Sequence, residues 1–308
     1  MLLTLVALAG LSLAQQTDTT FAVQPGARLS VTNFGGEIVV RSWAENRVRV
    51  RASHSSRTRV QISAGMQSVS VRTEGRRGPP QLTDMDITVP RGTPLNLNGT
   101  YTHISVEGVD ATVAAETVEG DVSLAGGSGA VTLKSIEGGV TVRGAKGRVD
   151  VHSVEGEIRI TETTAEIVAE TIDGDIVLQD VNSAAVDAST VDGDISYDGT
   201  IKDGGRYTFA SHDGDLTVAV PEGANVTVVV STFDGEFDAS FPVQITETKK
   251  RRFTFTIGNG SARLELETFD GDVRLRRPGQ VRPGRQDESN RNQRKHSNRN
   301  QRKHDECC

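Results

Sequence analysis

The sequence predicts an all-β fold, a parallel β-solenoid with coils of about 18 residues, and three observations carry this prediction. A six-residue marker recurs along the chain, typified by Thr190–Ile195, which reads T-V-D-G-D-I. Its central glycines are spaced by 18, 18, 18, 19, 21, 21 and 36 residues, at positions 120, 138, 156, 174, 193, 214, 235 and 271. Between the markers, β-branched residues alternate with polar ones, which is typical of strands and argues against a helical repeat.

Each coil is predicted to hold two short strands. After Gly120, Val122 and Leu124 mark the first strand, and Val131 and Leu133 mark the second, with an offset of two inside each. Stacked coils would place equivalent strands about 4.8 Å apart and join their Val, Ile and Leu side chains into one core. We expect a right-handed solenoid from the general bias of parallel crossovers. The final 36-residue step is interpreted as two coils, one of which has lost its marker.

The marker has a structural interpretation. Its glycine would form a corner, its Ser or Thr would bond to nearby backbone, and its two acids would form a solvated edge. Val191 and Ile195 are predicted to point inward. His212 shares the column of Val191 and Phe233, so it is predicted to be a partly buried packing residue. Phe233 and the other aromatic residues of the later coils are predicted to pack in the core.

Structural calcium is the alternative hypothesis for the acids. Stacked carboxylates repel one another, and Ca²⁺ bound to carboxylate and carbonyl oxygens would relieve that repulsion. The candidates form two predicted ladders, Asp173, Asp192 and Asp213 in one and Asp175, Asp194 and Asp215 in the other. No catalytic residue and no cofactor is otherwise predicted, because every acid in these coils is explained by the repeat.

The chain is predicted to have four parts. Residues 1–14 are almost entirely apolar and predict a signal peptide cleaved near Ala14, too short to span a bilayer. Residues 15–100 are predicted to form β-rich cap coils and 101–277 the regular solenoid. The polar, basic segment 278–308 is predicted to be a disordered tail. No transmembrane segment is predicted, and no lipoprotein cysteine, since the two cysteines are Cys307 and Cys308.

Charge restricts the class of partner. Residues 101–240 carry 26 acidic and 7 basic side chains. A surface of this sign repels nucleic acid and anionic membranes, so neither is expected as the main partner.

Two segments and the markers between them resemble a bacterial family. Val31–Val50 reads V-T-N-F-G-G-E-I-V-V-R-S-W-A-E-N-R-V-R-V and is similar to the opening of proteins catalogued as putative adhesins of unknown function. Leu264–Leu275, which reads L-E-L-E-T-F-D-G-D-V-R-L, is similar to their closing segment. The resemblance covers about residues 25–277. It implies an extracytoplasmic β-helix with a surface or adhesive role, and it transfers no catalytic residue.

Two classes of function follow. The first is a non-enzymatic envelope or surface protein, periplasmic, cell-surface or secreted, whose long face binds a glycan or a protein of the cell envelope. The second is a carbohydrate-active β-helix enzyme of the polysaccharide lyase or hydrolase type, since pectin-degrading enzymes share this architecture. An enzyme would need converging acids or bases in a cleft, whereas the coils between 120 and 214 are nearly uniform.

Overall fold

The repeat folds into stacked coils with one strand segment in each of two parallel sheets. The structure is a computed structural model and describes residues 15–249 and 251–281, so the predicted signal peptide, the tail after residue 281, Cys307 and Cys308 lie outside it. All 25 regular elements of the described part are strands. Within that part, no helix is long and apolar enough to cross a membrane.

Seven consecutive coils form the regular body. Their strands are β7 (Leu95–Val109), β8 (Val113–Glu119), β9 (Val122–Gly126), β10 (Ser128–Glu137), β11 (Val140–Arg143), β12 (Lys146–His152), β13 (Ile158–Thr161), β14 (Thr164–Glu170), β15 (Ile176–Val181), β16 (Ala185–Asp192), β17 (Ile195–Gly199), β18 (Arg206–Asp213) and β19 (Leu216–Ala219). The first half of β7 and the even-numbered strands β8–β18 form the first sheet, and the second half of β7 and the odd-numbered strands β9–β19 form the second. Every pairing between these coils is parallel and joins equivalent positions, as Ile158 with Ile176. The predicted parallel β-solenoid is confirmed.

At the N-terminal end, the first coil of the chain is not the outermost one, because other strands pair with it on both sides. Its strands are β1 (Gln15–Ala22), β2 (Arg28–Trp43), β3 (Arg47–His54), β4 (Thr58–Ala64), β5 (Ser68–Gly75) and β6 (Thr83–Pro90). Strand β2 contributes to both sheets and pairs with β7 on one side and with β5 and β6 on the other. Strands β4 and β3 then pair antiparallel with β5 and β6, and β1 pairs with β3. Antiparallel strands therefore cover the end of both sheets.

At the C-terminal end, too, the coils do not stack in the order of the sequence. Its strands are β20 (Val226–Asp234), β21 (Phe237–Ala239), β22 (Ile245–Lys249), β23 (Arg252–Ile257), β24 (Ala262–Asp270) and β25 (Val273–Arg276). The last coil, β24 and β25, lies between the coil of β18 and β19 and the coil of β20 and β21. The 36-residue step therefore contains an edge hairpin, β22 and β23, from which the chain returns inward. The interpretation of that step as a coil without its marker was wrong.

The core is a set of apolar ladders between the two sheets. Val140, Ile158 and Ile176 are fully buried neighbours in successive coils. Each fully buried aliphatic side chain contributes roughly 1.5–3 kcal/mol before its entropy is subtracted.

Aromatic residues fill the wider coils, as predicted for three of them. Tyr197, Tyr207 and Phe209 are fully buried, and the rings of Tyr197 and Phe209 lie 5.2 Å apart. The Tyr197 hydroxyl donates to the Thr200 carbonyl at 2.7 Å, and burial raises its pKa above the ordinary tyrosine value. Both ends of the Tyr197 side chain are thus satisfied, the apolar ring by packing and the hydroxyl by a hydrogen bond.

Candidate functional site

The marker forms the corner at which each coil passes from the first sheet to the second. Its Ser or Thr side chain is buried, or half-buried at Thr232, and donates a hydrogen bond to a backbone carbonyl of the adjacent coil, usually that of the marker glycine. These donor and acceptor pairs, at 2.9–3.4 Å, are Ser135–Gly120, Ser153–Gly138, Thr171–Gly156, Thr190–Gly174, Ser211–Gly193, Thr268–Gly214 and Thr232–Gly271. The predicted backbone role of this hydroxyl is confirmed, and the pairs follow the inverted coil order at the C-terminal end.

The marker glycines permit the close stacking of coils. Gly193 has a φ of 156°, and a Cβ built there would lie 2.1 Å from the carbonyl oxygen of Gly174. Ordinary contacts of a Cβ are 3.4–4 Å, so only glycine fits between the two backbones. The corner is therefore a backbone-on-backbone contact repeated in every regular coil.

In several markers the second acid links neighbouring coils. The Oδ1 atom of Asp175 accepts the backbone N–H of Asp194 at 2.9 Å, and Asp194 accepts in the same way from Asp215 at 2.8 Å. Asp215 accepts from Asp272 at 2.8 Å, again across the inverted junction. Arg274 adds salt bridges of 2.6 Å to both Asp215 and Asp272. These acids are thus partly structural, and their repulsion is reduced by an arginine.

The six calcium candidates lie in two ladders, as the sequence predicted. Asp173, Asp192 and Asp213 are exposed neighbours in successive coils. Asp175, Asp194 and Asp215 form the hydrogen-bonded ladder described above. Across residues 15–249 and 251–281, no group of three or more His, Cys, Asp or Glu side chains has an arrangement that could hold a metal ion. The calcium hypothesis stays a prediction.

The apolar residue of the marker faces solvent, contrary to the prediction for Val191. In strand β16, Val186, Ala188 and Thr190 are buried, so the alternation of a strand places Val191 on the outside, where it is 49% exposed. His212 and Phe233 occupy the same column and are exposed too, so their predicted packing roles were also wrong. The side chain of the Ser or Thr points inward, so the apolar residue that follows it must point outward. The alternation of inward and outward residues along the strand would have shown this from the sequence.

The outward residues of successive markers form one continuous row, which we name the marker ridge. In stacking order it consists of Val118, Ile136, Val154, Ile172, Val191, His212, Phe269 and Phe233. Its seven apolar members are 36–54% exposed and account for seven of the ten large hydrophobic side chains that are exposed in the described part of the chain. Exposed apolar rows of this extent are typical of interaction surfaces.

Aromatic contacts close the C-terminal end of the marker ridge. The rings of Phe269 and Phe233 stack at 4.6 Å and 6°, and His212 meets Phe269 edge-on at 4.9 Å. The guanidinium carbon of Arg251 lies 3.3 Å from the centre of the Phe233 ring. This end of the ridge therefore already carries a cation–π contact.

A shallow pocket lies on the outer face of the first sheet, apart from the marker ridge. Its volume is about 200 Å³, and its charged lining residues are Arg148, Glu166, Asp187 and Arg206. These four residues stand on consecutive coils and bring two cationic and two anionic side chains to one pocket. The sequence did not single them out, because they sit at ordinary outward positions of strands.

Solved structures with low sequence identity resemble this chain. One described as a putative adhesin from Bacteroides fragilis is 11% identical over 85% of this chain and 97% of that chain, with a TM-score of 0.43. One described as a putative lipid binding protein from Parabacteroides distasonis is 9% identical over 85% and 96%, with a TM-score of 0.44. No curated protein matches the chain. The family model described as Toastrack DUF4097 matches residues 27–276, most of the chain, and the protein belongs to this family.

Proposed function

We propose that this protein is a non-enzymatic binding protein of the bacterial cell envelope or surface, adhesin-like in role, which engages its partner along the marker ridge. The observation that carries the proposal is the ridge itself, eight outward side chains in register, seven of them apolar. In the free protein 36–54% of each apolar ridge residue is exposed to water, although the Ser or Thr and the glycine already build the corner. A partner that covers the row would gain the burial of all seven.

The predicted signal peptide supports the envelope location. The apolar segment 1–14 has the composition of a signal peptide, although it lies outside the described residues. A periplasmic, cell-surface or secreted protein would meet glycans and proteins of the envelope as its available partners.

Fractionation and retention test this proposal. An antibody against the mature protein locates it in fractions of the host, and the immobilised protein is then screened against envelope proteins, glycans and peptidoglycan. We expect recovery outside the cytoplasm and retention of at least one envelope component. Recovery in the cytoplasm alone, or no retention of any component, would refute the proposal.

A matched pair of variants assigns retention to the ridge. The ridge variant carries Ile136→Ser and Ile172→Ser, at residues that are 46% and 53% exposed. The control variant carries Met66→Ser and Leu82→Ser, which are 55% and 68% exposed and lie outside the ridge. Retention should fall in the ridge variant and persist in the control.

The pocket of Arg148, Glu166, Asp187 and Arg206 favours a second candidate function, a carbohydrate-active enzyme. Two arginines beside two carboxylates could bind a uronic acid and place an acid or base near its glycosidic bond. Incubation with acidic polysaccharides tests this alternative by the release of new chain ends. Cleavage that is lost in Glu166→Gln or Asp187→Asn would establish the enzyme, whereas the binding proposal expects no cleavage.

A further inference from the structure

We propose that the partner of the marker ridge is a cationic amphipathic α-helix that lies along the solenoid axis with its apolar stripe on the ridge. This inference rests on the proposed function and adds the chemistry of the partner. Three features of the corner carry it: the charge beside the ridge, the spacing along it, and the cation already bound at its end.

The charge on the side of the ridge that follows each ridge residue in sequence is negative. The residue after each ridge position is an exposed acid, and these acids form the first acid column: Glu119, Glu137, Glu155, Asp173, Asp192, Asp213, Asp270 and Asp234. A second acid column runs two residues further along each coil, with members Asp121, Glu157, Asp175, Asp194, Asp215, Asp272 and Glu236. The two columns together contain fifteen carboxylates, of which Glu157, Asp215 and Asp272 pair with Arg159 or Arg274.

This charge selects among the occupants of an apolar row. A second copy of the chain would bring an identical acidic border against the first, and an anionic lipid surface would be repelled in the same way. A partner with Lys or Arg beside its apolar residues gains both burial and charge complementarity. The occupant is therefore cationic as well as apolar.

The spacing along the ridge matches a helix. Successive ridge residues lie about 4.8 Å apart, the separation of neighbouring strands, so the eight positions span about 34 Å. Apolar residues three and four apart on a helix rise by about 4.5 and 6.0 Å, which brackets the ridge spacing. Alternate residues of an extended chain rise by about 6.7 Å and would lose register within a few coils. A helix of about 22 residues covers the whole ridge.

The C-terminal end of the ridge shows that this surface accepts a cation. Arg251 places its guanidinium 3.3 Å from the centre of the exposed Phe233 ring, beside Asp234 of the first acid column. A basic side chain of the chain itself thus covers the last ridge residue, so a cation is already accommodated at this end of the surface. Cation–π contacts of this kind occur with Arg and Lys over aromatic rings.

Three synthetic peptides of about 22 residues test the inference with the full-length protein. The first carries Leu at helical spacing and Lys elsewhere, the second has the same composition with Leu and Lys in strict alternation, and the third replaces each Lys of the first by Glu. Binding is measured by fluorescence anisotropy, and helix formation by circular dichroism. We expect the first peptide to bind with a gain of helix, and about tenfold or more tightly than either of the others.

Two matched charge variants locate the site. The column variant, with Glu137→Gln, Glu155→Gln and Asp173→Asn, removes three acids beside the ridge. The control variant, with Glu74→Gln, Asp110→Asn and Glu222→Gln, removes three exposed acids elsewhere. The column variant should weaken the first peptide about tenfold and the control less than about twofold. All six sites are exposed, and a melting curve verifies that each variant is folded.

Each outcome decides the inference. Preference for the helical Leu and Lys peptide, lost in the column variant alone, supports it. No binding of this peptide, equal binding of the alternating peptide, or equal weakening by both variants would overturn it. If envelope components are still retained through the ridge when the peptide fails, the proposed function stands and only the helical cationic partner is refuted. If neither binds, both are refuted.

Discussion

The substitution Gly193→Ala tests the scaffold role of the marker. The new Cβ would lie 2.1 Å from the carbonyl oxygen of Gly174, which is 1.3 Å short of the 3.4 Å at which ordinary contacts begin. Separating the two coils would weaken the hydrogen bond from the Gly174 amide to the Asp192 carbonyl, 2.9 Å, and that from the Thr190 hydroxyl to the Gly174 carbonyl, 3.1 Å. Overpacking costs about 1–3 kcal/mol and a lost hydrogen bond about 1 kcal/mol. We therefore expect a loss of about 2–4 kcal/mol in the free energy of unfolding.

Urea unfolding measures this loss, with Gly92→Ala as the matched control. A Cβ at Gly92 would meet nothing within 4 Å, so its variant should stay within about 0.5 kcal/mol of the parent protein. Stacked coils need not unfold together, so circular dichroism is compared with the fluorescence of Trp43, the single tryptophan, which lies in the coil of β2. If Gly193→Ala matched Gly92→Ala, the backbone contact at the corner would not hold the coils as described.

Three further predictions address the ridge, the coil order and the metal. Ile176→Ala, at a fully buried position, should lower the free energy of unfolding in urea by about 2–5 kcal/mol. Ile172→Ala, at a position that is 53% exposed, should lower it by less than about 1 kcal/mol. Equal losses would contradict the outward direction of the ridge. With Cys307 and Cys308 replaced by Ser, the pair Ala210→Cys and Glu267→Cys should form a disulfide on mild oxidation, because these residues are direct neighbours across β18 and β24. The pair Ala210→Cys and Ser231→Cys should form no disulfide, because these residues are two strands apart. The reverse result would refute the position of β24 between β18 and β20. Melting in Ca²⁺ and then in chelator should give equal Tm values, because the second acid column already accepts backbone hydrogen bonds; a higher Tm in Ca²⁺ would support structural calcium.

The periodic part of the fold was predictable because its determinants are local. Glycine spacing, the alternation around Val122 and Leu124, and the dominance of β-branched residues depend on neighbouring positions only. The parallel pairing of equivalent strands then follows, since coils of equal length bury their apolar side chains against one another. The burial of Tyr197, Tyr207 and Phe209 was predictable for the same reason.

The order of coils at the ends was not predictable from the period. A spacing of 36 residues fits two coils, and equally fits one coil with an edge hairpin that brings the chain back inward. The structure has the second arrangement, and Gly271 contacts Gly214 and Gly235 on its two sides. This choice depends on contacts between segments far apart in the sequence, such as β18 with β24.

The error at the ridge had a different origin. Val191 and Phe233 were assigned to the core because they are apolar, whereas the hydroxyl residue before each of them bonds into the corner and fixes the opposite direction. Hydrophobicity and alternation disagreed at this position, and alternation determined the outcome because the Ser or Thr has a hydrogen-bond partner inside the corner. A position where the two signals conflict in every coil is a candidate surface for a partner.

The alkylation rate of a single cysteine at the ridge tests the central claim that the marker displays apolar side chains as a contact surface. Val191→Cys is prepared in the chain with Cys307 and Cys308 replaced by Ser. Val186→Cys in the same background serves as the buried reference, because Val186 is only 2% exposed. The account predicts rapid alkylation at residue 191, slow alkylation at residue 186, and protection of residue 191 by an envelope component that the protein retains. Alkylation of residue 191 as slow as that of residue 186, or a rate that saturating partner leaves unchanged, would contradict it.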